Sequence, residues 1–138
     1  GVQQQTDADY ADWVAKIIAS HPAPGQPIQL FAYGSLIWKP EIDHRGERRG
    51  VARGWHRAFC LRMHRFRGTP EQPGLMMALD RGGQCQGMLF ELPPEDPFRL
   101  LDRLFRREFT VKPINSMPRW LVVETQDGPV RALGFVMN

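Results

Sequence analysis

Leu75-MMALDRGGQCQGMLFE-Leu92 is the stretch whose reading decides the fold class. Leu75 to Leu79 is a run of apolar residues. Asp80-Arg-Gly-Gly83 follows, with the composition of a tight turn, and Gln84 to Leu92 returns as a second apolar-rich run. Two short β-prone runs around an Asp/Gly cluster predict an antiparallel hairpin. Pro93-Pro94 then stops the strand. The same grammar recurs at the end of the chain, where Trp120 to Thr125 and Val130 to Met137 flank Gln126-Asp127-Gly128. Ile28 to Tyr33 reads as a further strand, and Val51 to Leu61 as a strand or strand pair. Arg67 to Gly74 reads as a loop.

Two segments carry helical periodicity instead. Ala8 to Ser20 places Tyr10, Trp13, Val14, Ile17 and Ile18 on one side, with Thr6 or Asp7 as its cap. His21 to Pro27 is a Pro- and Gly-rich linker. Pro97 to Phe109 is the second helix, with Pro94 and Pro97 at its start. About six strands and two helices predict an α+β domain whose sheet curls into a barrel. A chain of 138 residues is most simply one domain. Within it, residues 1–27 form the N-terminal helix and linker, and 28–138 the barrel.

The second helix holds an anomaly. At 100° per residue, Leu100, Leu104, Leu101, Phe105, Phe98 and Phe109 sweep one arc, and Arg106, Arg99, Arg103 and Arg107 take the other side. Glu108 falls inside the apolar arc, between Leu104 and Leu101. A carboxylate aimed at an apolar interior costs free energy, and the usual response is a raised pKa. A carboxylate poised nearer neutrality suits a general acid–base catalyst. A buried Glu paired with an Arg, or one at a pocket rim, is the bland alternative.

Composition narrows the remaining classes. Apolar content of 42% and charged content of 24% are those of an ordinary globular protein. No apolar run approaches a membrane span. The polar, acidic start does not look like a secretory signal. Two cysteines, Cys60 and Cys85, make no disulfide framework, so a reducing, cytoplasmic setting is expected. The net charge is +3, yet Arg45, Arg48, Arg49, Arg53, Arg57, Arg62, Arg65 and Arg67 face a single acid, Glu47, over that stretch. Such a stripe reads as a solvated face, as a pocket for a carboxylate-bearing small molecule, or as a nucleic-acid track. Nucleic acid is not expected as a partner.

Phe31-AYGSLIWK-Pro40 is the other segment with chemical content. A strand delivers Tyr33 and stops at Gly34. Successive N–H groups in such a turn form an anion-binding concavity, to which Ser35 adds a hydroxyl. A buried strand-to-loop turn accounts for it equally well. His56, Cys60 and His64 recur every four residues, but no further ligand pattern accompanies them and a metal is not expected. Ser35 lacks the elbow of a serine hydrolase, and there is no phosphate loop or dinucleotide fingerprint.

Taken together, Tyr33-GSLI-Trp38, Gly54-WHRAF-Cys60, Gly68-TPEQP-Gly74 and Arg107-Glu108 resemble the ChaC-type γ-glutamylcyclotransferases. The resemblance runs from about Leu30 to Phe135 with the motifs in order. It implies a small mixed β-barrel flanked by helices. It also implies cleavage of glutathione to 5-oxoproline and cysteinylglycine, without cofactor or metal. It assigns Tyr33, Gly34, Ser35 and Leu36 to the γ-glutamyl part of the substrate and the catalytic role to Glu108. Arg57 and Arg62 become candidates for the glycyl carboxylate, with Arg107 the weakest because the wheel turns it outward. Other γ-glutamyl amines or amino acids are the alternative substrates, and an inactive binding module is the alternative class. The family's usual Gly and Tyr after the catalytic Glu are missing from Phe109-TVKPINS-Met117, which bears on substrate range. Bacterial members commonly continue beyond the strand that ends here at Asn138, so the chain reads as a fragment or a compact variant. The short barrel is expected to expose an edge or apolar patch, which favours a homo-oligomer.

Overall fold

The structure, a computed structural model, describes residues 3–33, 46–61, 75–109, 111–112 and 116–137. Helix α1 spans Asp7–Ala19. Thr6 caps it in a reciprocal box with Asp9, each side chain satisfying the other's backbone N–H. Helix α2 spans Pro97–Glu108; Asp96 caps it through the Arg99 N–H, and Pro97 sits where its missing N–H costs nothing.

Seven strands are described: β1 Gln3–Gln4, β2 Gln29–Ala32, β3 Gly46–Leu61, β4 Leu75–Glu91, β5 Val111–Lys112, β6 Ser116–Thr125 and β7 Gly128–Met137. Two-residue β1 and β5 pair with each other. The other five form one mixed sheet in the order β2-β4-β3-β6-β7, and β7 returns to pair in parallel with β2 at Leu30–Leu133, closing the sheet on itself.

The hairpin expected at Asp80–Gly83 does not form. β4 runs unbroken through it, and Val51–Leu61 is not a strand pair but part of the single 16-residue strand β3. β3 and β4 make one long antiparallel ribbon. Between the pairs Arg53–Gln84 and Trp55–Arg81, Gly54 on β3 opposes Gly82 and Gly83 on β4. All three glycines have positive φ. Two residues against one is a β-bulge, which kinks a ribbon without ending it. The glycines that looked like turn chemistry serve a bend, because the runs on either side both find their partners on β3.

That bend is sharp. The second half of β4 is antiparallel to β2, β2 is parallel to β7, and yet the first half of β4 meets β7 in parallel at Leu79–Val136. A straight strand cannot satisfy all three relations. Arg57 reports the same folding-over. Its register partner is Leu79, but its Nη2 donates to the Gln86 carbonyl at 2.7 Å. Seven residues of straight strand would put that carbonyl about 23 Å away.

Strand alternation builds two cores. Phe31, Leu79, Cys85, Leu89, Leu121, Val123, Ala132 and Val136 fill the inside of the closed sheet. Leu30, Ala32, Phe90, Leu133 and Phe135 face outward and are covered by Tyr10, Val14 and Ile17 of α1 and by Leu101, Leu104 and Phe105 of α2. Along β2 the residues change core one by one, as a period of two requires. Phe98 departs from the expected buried arc and is 55% exposed, whereas Phe109 at the other end of α2 is fully buried. The helix therefore enters the fold with its C-terminal end deepest.

Candidate active site at the end of β2 and the last turn of α2

Tyr33 follows directly on β2 and is buried within the inner core. Its hydroxyl donates to the backbone carbonyl of Phe135 on β7. The Phe135 ring faces outward and meets Phe105 of α2 edge-to-face, with centroids 6.0 Å apart. Phe105 is one turn before Glu108, so one residue of β7 links the end of β2 to the last turn of α2.

Glu108 is the final residue of α2 and is half-buried. Its surroundings are firmly held. The Phe109 N–H closes the helix on the Phe105 carbonyl at 2.9 Å. The Tyr10 hydroxyl donates to the Phe109 carbonyl at 2.8 Å, and the Phe109 ring packs on Tyr10, Trp13 and Phe105. Arg106 lies over the Tyr10 ring and bridges Asp7 and Asp102, both at 2.9 Å. Burial pushes the Tyr10 phenol above its ordinary value, opposed in part by the Arg106 charge. Arg107 is not on the outer face as the wheel placed it. It is half-buried, with Nη1 shielded from solvent, because this end of the helix sits deep.

A groove of about 780 Å³ runs beside the end of β2. Arg48, Arg49, Arg57, Gln86, Gly87, Met88, Glu124 and Asp127 are part of its lining. Ala32 is in register with Met88, so Tyr33 leaves the sheet beside Gly87. The volume is within the range of small-molecule sites. Besides the Gln86 carbonyl, Arg57 offers Nε to the buried Cys85 Sγ at 3.4 Å. Two of its five donors are thus engaged, and the guanidinium is fixed at the groove wall. No periodicity in the sequence announced that anchoring, since Arg57 and Gln86 meet only through the bend.

Gly34, Ser35, Leu36, Arg62 and His64, with the loop from Arg67 to Gly74, lie outside the described residues. His56 holds the bulge, with Nδ1 2.9 Å from the Gly82 carbonyl. A carbonyl only accepts, so Nδ1 carries the proton. Among the described residues no cluster of His, Cys, Asp or Glu has the geometry for a metal ion.

Residues 28–138 match the family model described as ChaC-like protein. The chain belongs to the ChaC-like family. The glutathione-specific gamma-glutamylcyclotransferase of Escherichia coli is 39% identical over 126 residues, which is 91% of this ChaC-like chain and 53% of that protein. Glutathione-specific gamma-glutamylcyclotransferase 1 of Mus musculus is 31% identical, over 80% of this chain and 51% of its own length. The chain thus spans about half the length of these curated relatives. A crystal structure of a yeast γ-glutamyl cyclotransferase specific to glutathione superposes with a TM-score of 0.63 at 18% identity, over 81% of this chain and 68% of that one. It shares the fold. Among the described residues, no helix is long and apolar enough to cross a membrane.

Proposed function

We propose that this ChaC-like protein is a γ-glutamylcyclotransferase that cleaves glutathione to 5-oxoproline and cysteinylglycine in the cytoplasm. The closed sheet with its two covering helices is then the γ-glutamylcyclotransferase type of barrel. The observation that carries the reading is the junction on Phe135, which joins the Tyr33 end of β2 to the helix turn bearing Glu108. Kinship with enzymes named for this activity supports it.

The chemistry asks little covalent work of the protein. The α-amine of the substrate attacks its own γ-carbonyl carbon. A C–N bond forms to close a five-membered lactam, and the amide bond to the cysteinyl nitrogen breaks. Holding the bent conformer converts binding energy into proximity. The amine arrives as an ammonium and must lose a proton first. Glu108 takes that proton and returns it to the departing cysteinyl nitrogen; the ring nitrogen sheds a second proton once the new C–N bond has formed, and the departing amine takes that one up too and leaves as an ammonium, so the enzyme ends as it began. Nucleophile and electrophile lie in one molecule, so the step calls for no enzyme nucleophile; that it uses neither cofactor nor metal is what the family resemblance implies. Backbone N–H groups around Gly34, Ser35 and Leu36, after Tyr33, hold the γ-glutamyl end. Arg57, with donors to spare, and Arg62 supply positive charge for the substrate.

The test is 5-oxoproline release from millimolar glutathione by the wild type and by Glu108→Gln. The expected result is release by the wild type and a loss of at least about a hundredfold in the variant. Wild-type activity in Glu108→Gln removes Glu108 from the mechanism. Release only from other γ-glutamyl amines or amino acids changes the substrate and keeps the reaction. That outcome would fit the departure from the family pattern after Glu108. No release from any γ-glutamyl compound favours the inactive binding module.

A further inference from the structure

Among the described residues, one arginine of the groove is left uncommitted by its neighbours. Arg48 pairs with Asp127 at 3.8 Å and Arg53 with Glu124 at 2.7 Å, so both acids that line the groove already have a cation. Arg57 is tied to β4. Arg49 is exposed and pairs with no acid among the described residues.

Its place in the sheet is informative. Leu30 pairs with Leu133 in parallel, which sets Ala32 beside Phe135. Ala32 is in register with Met88, and Met88 with Arg49. Phe135, Ala32 and Met88 belong to the outer core or pack on it, so this row lies on the outer face. Arg49, directly opposite Met88, shares that face. At its Phe135 and Ala32 end the row is buried beneath α1 and α2, and it opens only at Met88 and Arg49, which line the groove. Tyr33 leaves β2 beside Gly87, and Gly87 is in register with Gly50, the neighbour of Arg49. Tyr33 and Arg49 are thus two strand spacings apart, about 10 Å, which an extended tripeptide also spans, at about 10 Å.

We propose that Arg49 is a specificity-determining residue that receives the glycyl carboxylate, the groove beside it holding the cysteinylglycine part of the substrate. This role rests on the glutathione reading given above. A guanidinium and a carboxylate match in geometry and charge. The contact lies far from the breaking bond, so it acts on ground and transition states alike and shows in KM more than in kcat.

The experiment compares glutathione with its glycyl ethyl ester, in which that carboxylate is neutral, and reads 5-oxoproline. In the wild type the ester should have a KM about tenfold higher than glutathione. In Arg49→Ala and in Arg49→Gln the KM for glutathione should rise by about the same factor and the ratio between the two substrates should fall to about one. Arg49→Lys should restore part of the ratio. A wild type that cleaves both substrates, with a ratio that persists in Arg49→Ala and Arg49→Gln, overturns the role of Arg49 alone. A wild type that cleaves neither overturns the glutathione reading, and the role of Arg49 falls with it.

Discussion

Two tyrosines hold carbonyls at the ends of the candidate site, and they make different predictions. Tyr33 ties β2 to β7 through the Phe135 carbonyl. Tyr33→Phe removes one buried hydrogen bond, and urea unfolding should show a loss of about 1–2 kcal/mol. Because the bond also fixes the end of β2 at Tyr33, turnover should fall more than stability does. Equal 5-oxoproline release by Tyr33→Phe and wild type would show that the hydroxyl positions nothing. Tyr10 acts through pH. Its phenol is raised above the ordinary value of 10.0, mainly by burial. Below that value both folded and unfolded chains keep the proton, and the full stability is present. Above it the unfolded chain ionises first, so stability falls as the pH rises toward the folded-state pKa. Thermal unfolding between pH 8 and pH 11 should therefore decline more steeply for the wild type than for Tyr10→Phe, which has no proton to lose. Parallel curves would mean that Tyr10 ionises alike in both states.

At the scale of elements, the β3–β4 ribbon decides the shape. Its bend depends on backbone that only glycine adopts readily. Gly82 has φ +107 and open space where a Cβ would go, so Gly82→Ala tests conformation alone. The expected cost is about 1–3 kcal/mol. Gly87 is different: a Cβ there would lie 2.5 Å from the Ala32 carbonyl oxygen and 2.7 Å from the Phe31 ring. Gly87→Ala pushes β2 away from β4 beside Tyr33, and overpacking of this kind typically costs about 1–3 kcal/mol. Denaturant midpoints should fall for both variants, while 5-oxoproline release per folded molecule should suffer in Gly87→Ala. Undiminished release there would show that the end of β2 tolerates the shift.

At the scale of the whole molecule, folding disperses the described part of the arginine stripe, Arg48 to Arg57. Arg48 and Arg53 find acids on the β6–β7 hairpin, and Arg57 turns back on its own ribbon. A surface neutralised in this way should bind generic RNA or DNA only weakly, and steeply less as salt rises. Filter binding at near-physiological salt should detect no complex. Micromolar or tighter affinity there would restore the nucleic-acid reading. The two cores make a second global expectation. Phe31→Ala empties the inside of the closed sheet and Phe105→Ala the layer under α2, each costing about 3–5 kcal/mol by chemical unfolding.

The local features were legible in the amino-acid sequence, because short-range physics specifies them. Thr6 caps α1, Pro97 opens α2, and the β6–β7 hairpin turns at Gln126-Asp127. Each follows from spacing along a few residues. Gly82-Gly83 shows where that reading ends. Glycines at positive φ serve a turn or a bulge equally well, and the choice depends on which strand the flanking runs pair with. β3 takes both runs, and from that single long-range pairing come the folded ribbon, the Arg57 anchor and the row that leads to Arg49. The depth of α2 was likewise out of reach, since a wheel has no axis tilt, and so Phe98 is exposed and Arg107 partly sunk. Sequence by itself determined the two helices and the β6–β7 hairpin. Only the tertiary structure decided what they face, because that depends on contacts between residues far apart in the chain.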